Sequence, residues 1–240
     1  METVKTFEEI FTENAKKIGL AVQDSAIARF KAYYNLLMEW NEKMNLTAIT
    51  DLEGVIVKHF IDSLTVLKDL PAESKCKLVD VGTGAGFPGV PIKIIKEDAQ
   101  VTLIDSLNKR LTFLQDLSKR LNLKITLVHA RAEEAGHKET FREKFDVSVA
   151  RAVAALDVLA EYCLPLVKVG GVFLAMKGGD CEEEVNKAKR AVDLLGGKIE
   201  KIEKFKIPND SSRSIITIRK VKKINDEYPR SSKKIVRSPL

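Results

Sequence analysis

The sequence predicts a doubly wound α/β fold: a seven-stranded, mostly parallel sheet with helices on both faces. Three observations carry this reading. From Lys77 onward, short apolar runs alternate with amphipathic segments. Residues 78–91 read LVDVGTGAGFPGVP, a strand running into glycines at alternate positions and then into a proline-opened helix. The last two apolar runs follow each other with no helix between them. Alternation implies right-handed crossovers, and the closing pair implies one antiparallel edge strand.

Residues 1–70 read as a helical extension. Phe7, Ile10, Phe11, Ala15 and Ile18 recur at helical spacing, with Gly19 as the stop. Asp24 or Ser25 caps a second helix whose buried stripe includes Ile27, Phe30, Tyr34, Leu37 and Trp40. A third helix from about Asp51 carries Val55, Phe60, Leu64 and Leu67. Apolar runs place strands at 77–81, 101–105, 125–129, 145–149, 171–176, 198–206 and 213–221. Helices are expected at 88–96, 107–121, 153–166 and 181–195. This divides the chain into an extension (1–70), a cofactor-binding domain (71–221) and a basic tail (222–240).

The composition, 45% hydrophobic and 31% charged, is that of a globular protein. No apolar run reaches membrane-spanning length, and the start is acidic and amphipathic, unlike a secretory signal. A cytoplasmic protein is expected. Cys76, Cys163 and Cys181 are odd in number and scattered, which speaks against a disulfide framework. His59, His129 and His137 lack metal-ligand spacing, so no metal is expected. Charge is uneven: the whole net charge of +6 lies from Arg219 onward, where eight Lys or Arg face only Asp226 and Glu227. Such a stretch is either a solubilising tail or a contact for a polyanion.

The glycine stretch narrows the cofactor. A phosphate-binding loop needs Gly-Lys-Ser/Thr after its last glycine, and Phe87-Pro88 stands there instead. The dinucleotide spacing G-x-G-x-x-G can be laid on Gly84, Gly86 and Gly89, but counted from the acid at the strand end the pattern is D-x-G-x-G-x-G, beginning at Asp80 with Gly82, Gly84 and Gly86. A sulfonium nucleoside has no pyrophosphate and needs no anion nest, so the pattern favours S-adenosylmethionine. Asp105 closes the second strand, where a carboxylate reaches ribose hydroxyls in either cofactor class. Arg131-Ala132-Glu133-Glu134 reads as a polar turn after the third strand, where an adenine can lie.

With these residues in view, the chain resembles the bacterial small-subunit ribosomal RNA guanine-N7 methyltransferases, the RsmG or GidB family. The resemblance covers nearly the whole chain. It rests on Trp40-Asn41 and Asn45-Leu46-Thr47, Lys58-His59 with Asp62-Ser63, and the 80–91 loop with Phe87-Pro88-Gly89. Arg131-Ala132-Glu133, Ala150-Arg151-Ala152, Lys177-Gly178 and Tyr228-Pro229-Arg230 complete it. The tail departs from the family's usual Gly-x-Pro after the arginine. The resemblance implies a Rossmann-like methyltransferase fold and S-adenosylmethionine binding at Gly82, Phe87, Ala132, Glu133 and Arg151. It also implies methylation of a guanine N7 in the decoding-region loop of 16S ribosomal RNA.

The residues are compatible with that chemistry. Guanine N7 carries an in-plane lone pair and loses no proton, so no general base is required and no catalytic residue is assigned. The chain has neither the Pro-Pro of exocyclic-amine methyltransferases nor the Pro-Cys of cytosine-C5 enzymes. Gly84 and Asp105 join the cofactor set, and Lys177, Arg230, Lys233 and Lys234 are the candidates for RNA contact. His59 and Trp40 read as packed residues, and Cys163 as buried filler. Removing 220–240 is expected to weaken RNA binding with little effect on the cofactor. Two alternatives remain open at this stage: a methyltransferase of another RNA, a protein or a small molecule, and a non-catalytic RNA-binding protein.

Overall fold

A parallel β1–β4 pair at the centre of one sheet organises the chain. The structure, a computed structural model, describes residues 5–72 and 75–240. The first four residues, part of the start contrasted with a secretory signal, lie outside the described residues. Strands β1 (Lys77–Val81), β2 (Gln100–Asp105), β3 (Ile125–His129), β4 (Phe145–Arg151), β5 (Val167–Gly178), β6 (Gly197–Lys206) and β7 (Ser212–Lys220) form the sheet. Their order is β3-β2-β1-β4-β5-β7-β6, which reverses direction between β1 and β4. In open α/β sheets, ligands bind beyond the carboxyl ends of the strands at that reversal.

The antiparallel strand is not at the edge, as the sequence reading had it. β7 pairs antiparallel with both β5 and β6 and so lies inside the sheet. The reason is visible in its side chains. Ser214 to Ile218 are all buried, whereas β6 is mostly charged, with Ile199 and Phe205 only partly covered and Ile202 exposed. A lysine-rich strand is suited to an unpaired edge.

One face of the sheet carries α1 (Phe7–Lys17), α2 (Asp24–Asn41), α5 (Gly89–Ile95) and α6 (Asn108–Arg120). Helix α1 opens on a capping box in which Thr6 and Glu9 satisfy each other's backbone. Helix α2 is capped differently from expectation: Gln23 is its N-cap and makes no side-chain cap bond. Tyr33 is fully buried beside Phe30, whereas Tyr34 is only half-buried. The segment predicted as one third helix is broken into α3 (Leu52–Val55), a π turn (Ile56–Ile61), α4 (Asp62–Leu64) and a 3-10 turn (Thr65–Asp69). Phe11, Phe30, Tyr33 and Phe60 pack ring to ring, with centroids 4.7 to 5.2 Å apart from Phe11 through to Tyr33.

The other face carries α7 (Ala132–His137), α8 (Leu156–Cys163) and α9 (Glu182–Leu194). Cys163 is fully buried there, and burial pushes its thiol up to about 12, in keeping with an inert packing role. The basic C-terminal stretch packs on this face and ends in α10 (Ser232–Arg237). Arg142 donates to the carbonyls of Tyr228 at 2.7 Å, Asn225 at 3.1 Å and Gly136 at 3.0 Å. Ile224 and Ile235 are buried. Lys220, counted with the basic stretch, is fully buried; it donates to Leu164 O, and burial pulls its ammonium down to about 8.

Candidate active site at the carboxyl edge of the sheet

The loop after β1 is shaped by its glycines and held by two carboxylates and a tyrosine. Gly82, Gly84 and Gly86 have φ of +71°, +60° and +100°. This is backbone that side chains rarely tolerate. A Cβ at Gly86 would also lie 2.6 Å from the Tyr33 hydroxyl. Beneath the loop, Asp80 Oδ2 accepts from Thr83 Oγ1 at 2.7 Å and from Gly89 N at 2.8 Å. Asp80 is fully buried, its Oδ1 has no partner among the described residues, and burial pushes the carboxyl up to about 6. Asp105 Oδ2 accepts from Gly84 N at 2.9 Å, and its Oδ1 accepts from Leu107 N at 2.9 Å.

Tyr33 ties the helical extension to this loop by donating its hydroxyl hydrogen to Ala85 O. Replacing Tyr33 with phenylalanine is expected to destabilise the protein by about 1–3 kcal/mol, because the buried Ala85 carbonyl loses its partner. Urea unfolding measures this, and an unchanged midpoint would show that the bond contributes nothing.

A cavity of about 360 Å³ opens beside the loop, lined by Val81, Gly82, Ile104, Asp105, Arg110, Ala132, Glu133, Val153, Tyr162 and Ser232 among others. This is within the size range of small-molecule sites. Its wall combines apolar side chains with the carboxylates of Asp105 and Glu133 and the guanidinium of Arg110, which donates to Asp105 Oδ2 at 3.3 Å. Glu133 is 8% exposed, and no described residue donates a hydrogen bond to its carboxylate. Apolar side chains together with carboxylate acceptors fit a nucleoside, which presents a flat base and hydroxyl donors.

Of the residues singled out from sequence, Gly82, Asp105, Ala132 and Glu133 line this cavity. The Arg131-Ala132-Glu133-Glu134 stretch is not the turn expected: it opens α7, with Glu134 accepting from Arg131 N at 3.2 Å. Gly84, Phe87 and Arg151 are not among the residues that line the cavity. The Phe87 ring is stacked between His59 and Tyr33, at 4.6 and 5.4 Å, with the Arg151 guanidinium 5.1 Å from its centroid. Arg151 donates to Asp62 Oδ2 at 2.8 Å, and Arg213 Nε donates to Asp62 Oδ1 at 2.9 Å. Burial, and secondarily the Arg151 charge, lower His59 to about 4, so the ring is neutral at physiological pH. His59 is thus the packed residue expected, with Nε2 2.8 Å from Thr47 Oγ1. Trp40 packs on Phe113 and donates to Asp116.

The RNA candidates divide. Lys177 donates to Ala154 O at 2.6 Å and to Glu184 at 2.5 Å. Arg230 is turned inward onto the buried Glu161. Only Lys233 and Lys234 of the four are exposed, on α10. Sequence reasoning missed Tyr33, Arg213 and Ser232. Tyr33 looks like any core aromatic, Arg213 is one of three β7 cations, and Ser232 reaches the cavity only through the packing of the C-terminal stretch.

Comparison with known proteins settles the family. The model of the GidB family, described as rRNA small subunit methyltransferase G, matches residues 26–225. A protein of Acetivibrio thermocellus named "Ribosomal RNA small subunit methyltransferase G" is 51% identical over 97% of this chain and 96% of its own length. One of the same name from a Geobacillus strain is 50% identical over 88% and 90%. The chain belongs to the GidB family. The loop, the Asp105 strand end and the α7 start described above therefore sit in a methyltransferase framework. Solved structures agree on the fold. The crystal structure of M. jannaschii TYW2 in complex with AdoMet superposes with a TM-score of 0.52 at 15% identity, over 62% of this chain and 71% of that one. A precorrin-6y C5,15-methyltransferase of Geobacter metallireducens gives 0.51 at 15%, over 74% and 91%. Among the described residues, no helix is long and apolar enough to cross a membrane.

Proposed function

We propose that this GidB-family chain transfers a methyl group from S-adenosylmethionine to N7 of a guanine in 16S ribosomal RNA. The observation that carries the reading is the cavity at the β1–β3 carboxyl ends, with Gly82 on one side and Asp105 and Glu133 on the other. Asp105 and Glu133 would accept hydrogen bonds from the nucleoside, Ala132 would face its base, and the loop from Gly82 would pass close to its amino-acid part. When bound, the cofactor supplies an electrophilic methyl group on a sulfonium. The chain's own residues bind, orient and exclude water; alignment supplies much of the rate in such a displacement. Guanine N7 loses no proton, and the neutral His59 and the inert Cys163 are consistent with chemistry that needs neither base nor nucleophile. A base attacked at N7 must be presented by its edge, which favours a loop over an intact duplex.

Label transfer tests the reading. Incubating the protein and methyl-labelled S-adenosylmethionine with small subunits lacking the modification is expected to yield labelled N7-methylguanine in the RNA. Absence of label there, or its appearance only in protein or transfer RNA, overturns it. The exposed lysines of α10 provide a second expectation. Replacing Lys233 and Lys234 together with glutamine is expected to flatten the salt dependence of RNA binding by up to about 1.4 in log–log slope, the value for two lost phosphate contacts on single strands. An unchanged slope would remove α10 from the RNA-binding surface.

A further inference from the structure

The C-terminal stretch, read from sequence as a solubilising tail or a contact for RNA, also reaches the cofactor cavity. Ser232, the first residue of α10, is one of the residues lining that cavity, beside Tyr162 of α8. It is half-buried, and no described residue hydrogen-bonds to its hydroxyl. The backbone that delivers it is fixed at three points. Pro229 O is 2.6 Å from His137 Nε2, at the end of the helix that Ala132 and Glu133 begin. Pro229 also fills the space beside Gly136, where a Cβ would approach its ring to 2.8 Å. Arg230 clasps Glu161 through its backbone N–H at 2.7 Å and its guanidinium at 2.7 Å. Glu161 is 1% exposed, so this anchor lies in the body of the domain.

From this we infer that residues 228–237 form a strap that walls the cofactor cavity, with Ser232 as its contact to the bound nucleoside. The inference rests on the S-adenosylmethionine reading above and deepens it. A strap pinned to α7 and α8 holds its hydroxyl in place before the ligand arrives, so little ordering is required on binding. On this inference, loss of the stretch weakens cofactor binding as well as RNA binding.

The test uses the full-length chain and S-adenosylhomocysteine, the demethylated form of the cofactor, as the calorimetric probe. Ser232→Trp, which fills the cavity from the strap side, is expected to weaken binding at least about tenfold, the size of one lost ligand contact. Glu161→Gln combined with Arg230→Ala, which releases the anchor, is expected to weaken it as well. Hydrogen exchange supplies a readout independent of any substitution: the probe should slow exchange at residues 230–237 of the native chain. Failure of the native chain to bind the probe overturns the cofactor reading and the inference with it. Native binding with Ser232→Trp equally tight, and with no protection of 230–237, overturns the strap alone.

Discussion

Replacing Arg230 with alanine is expected to destabilise the fold by about 3–5 kcal/mol, the cost of leaving a buried carboxylate without its partner. The guanidinium meets Glu161 at 2.7 to 3.1 Å through Nε and one terminal nitrogen, in the side-by-side geometry that suits arginine. Glu161 also accepts from Arg230 N, so two carboxylate oxygens take four contacts from one residue. The bidentate pairing holds the guanidinium charged and raises its pKa. Adding Glu161→Gln to the alanine variant should recover much of the loss, because a neutral amide is far less costly to bury than an ion. Urea titration of both variants measures this. A single variant as stable as the native chain would mean that Glu161 finds water or another cation.

The second large effect is a concealed pH dependence. Asp80 titrates near 6 in the folded protein, raised by burial from an ordinary 3.8. The folded state therefore holds that proton more tightly, and its contribution to stability falls as pH rises from about 4 to 6. His59 does the opposite: it titrates near 4 when folded against an ordinary 6.5. Its contribution is lost as pH falls from about 6.5 to 4. Each shift corresponds to about 3 kcal/mol. The two windows overlap with opposite sign, so the native chain largely hides both. Asp80→Asn should unmask the His59 dependence, giving stability that climbs by up to about 3 kcal/mol between pH 4 and 6.5 relative to the native chain. His59→Gln should unmask the falling Asp80 slope. Unfolding curves across this range decide the matter; parallel pH profiles for native and Asp80→Asn chains would refute it.

Much of the fold was legible because its signals are local. Runs such as 77–81 and 101–105 are apolar on both faces, and the intervening helices are amphipathic, so strand number and most element positions follow from neighbours in sequence. Strand order is not local: nothing in residues 212–220 states which edge they join. The clue is comparative, since β7 is apolar on both faces and β6 is not. At the site, Gly82 and Asp105 were readable because conformation and chemistry restrict those positions severely. The Arg131–Glu134 stretch was placed by its position after the third strand, and the family resemblance singled out Ala132 and Glu133 within it. Phe87 and Arg151 came the same way, and their stacking with His59 and their tie to Asp62 could not be read from spacing, because the partners lie about 30 and 90 residues away. Lys177 and Arg230 show the limit of charge counting: a cation in the sequence says nothing about whether its partner is an internal carboxylate.

The interior position of β7 bears on how the protein is made. Ribosomal synthesis delivers β1 to β5 first, and these can dock with the helices that connect them. The outer edge of β5 then stays bare, because its neighbour is the last strand to emerge. Such an edge is a template for pairing with other chains. Until residues 212–220 arrive, a nascent chain is therefore exposed to association. The strap comes later still, so the sheet is sealed before the cavity acquires its final wall.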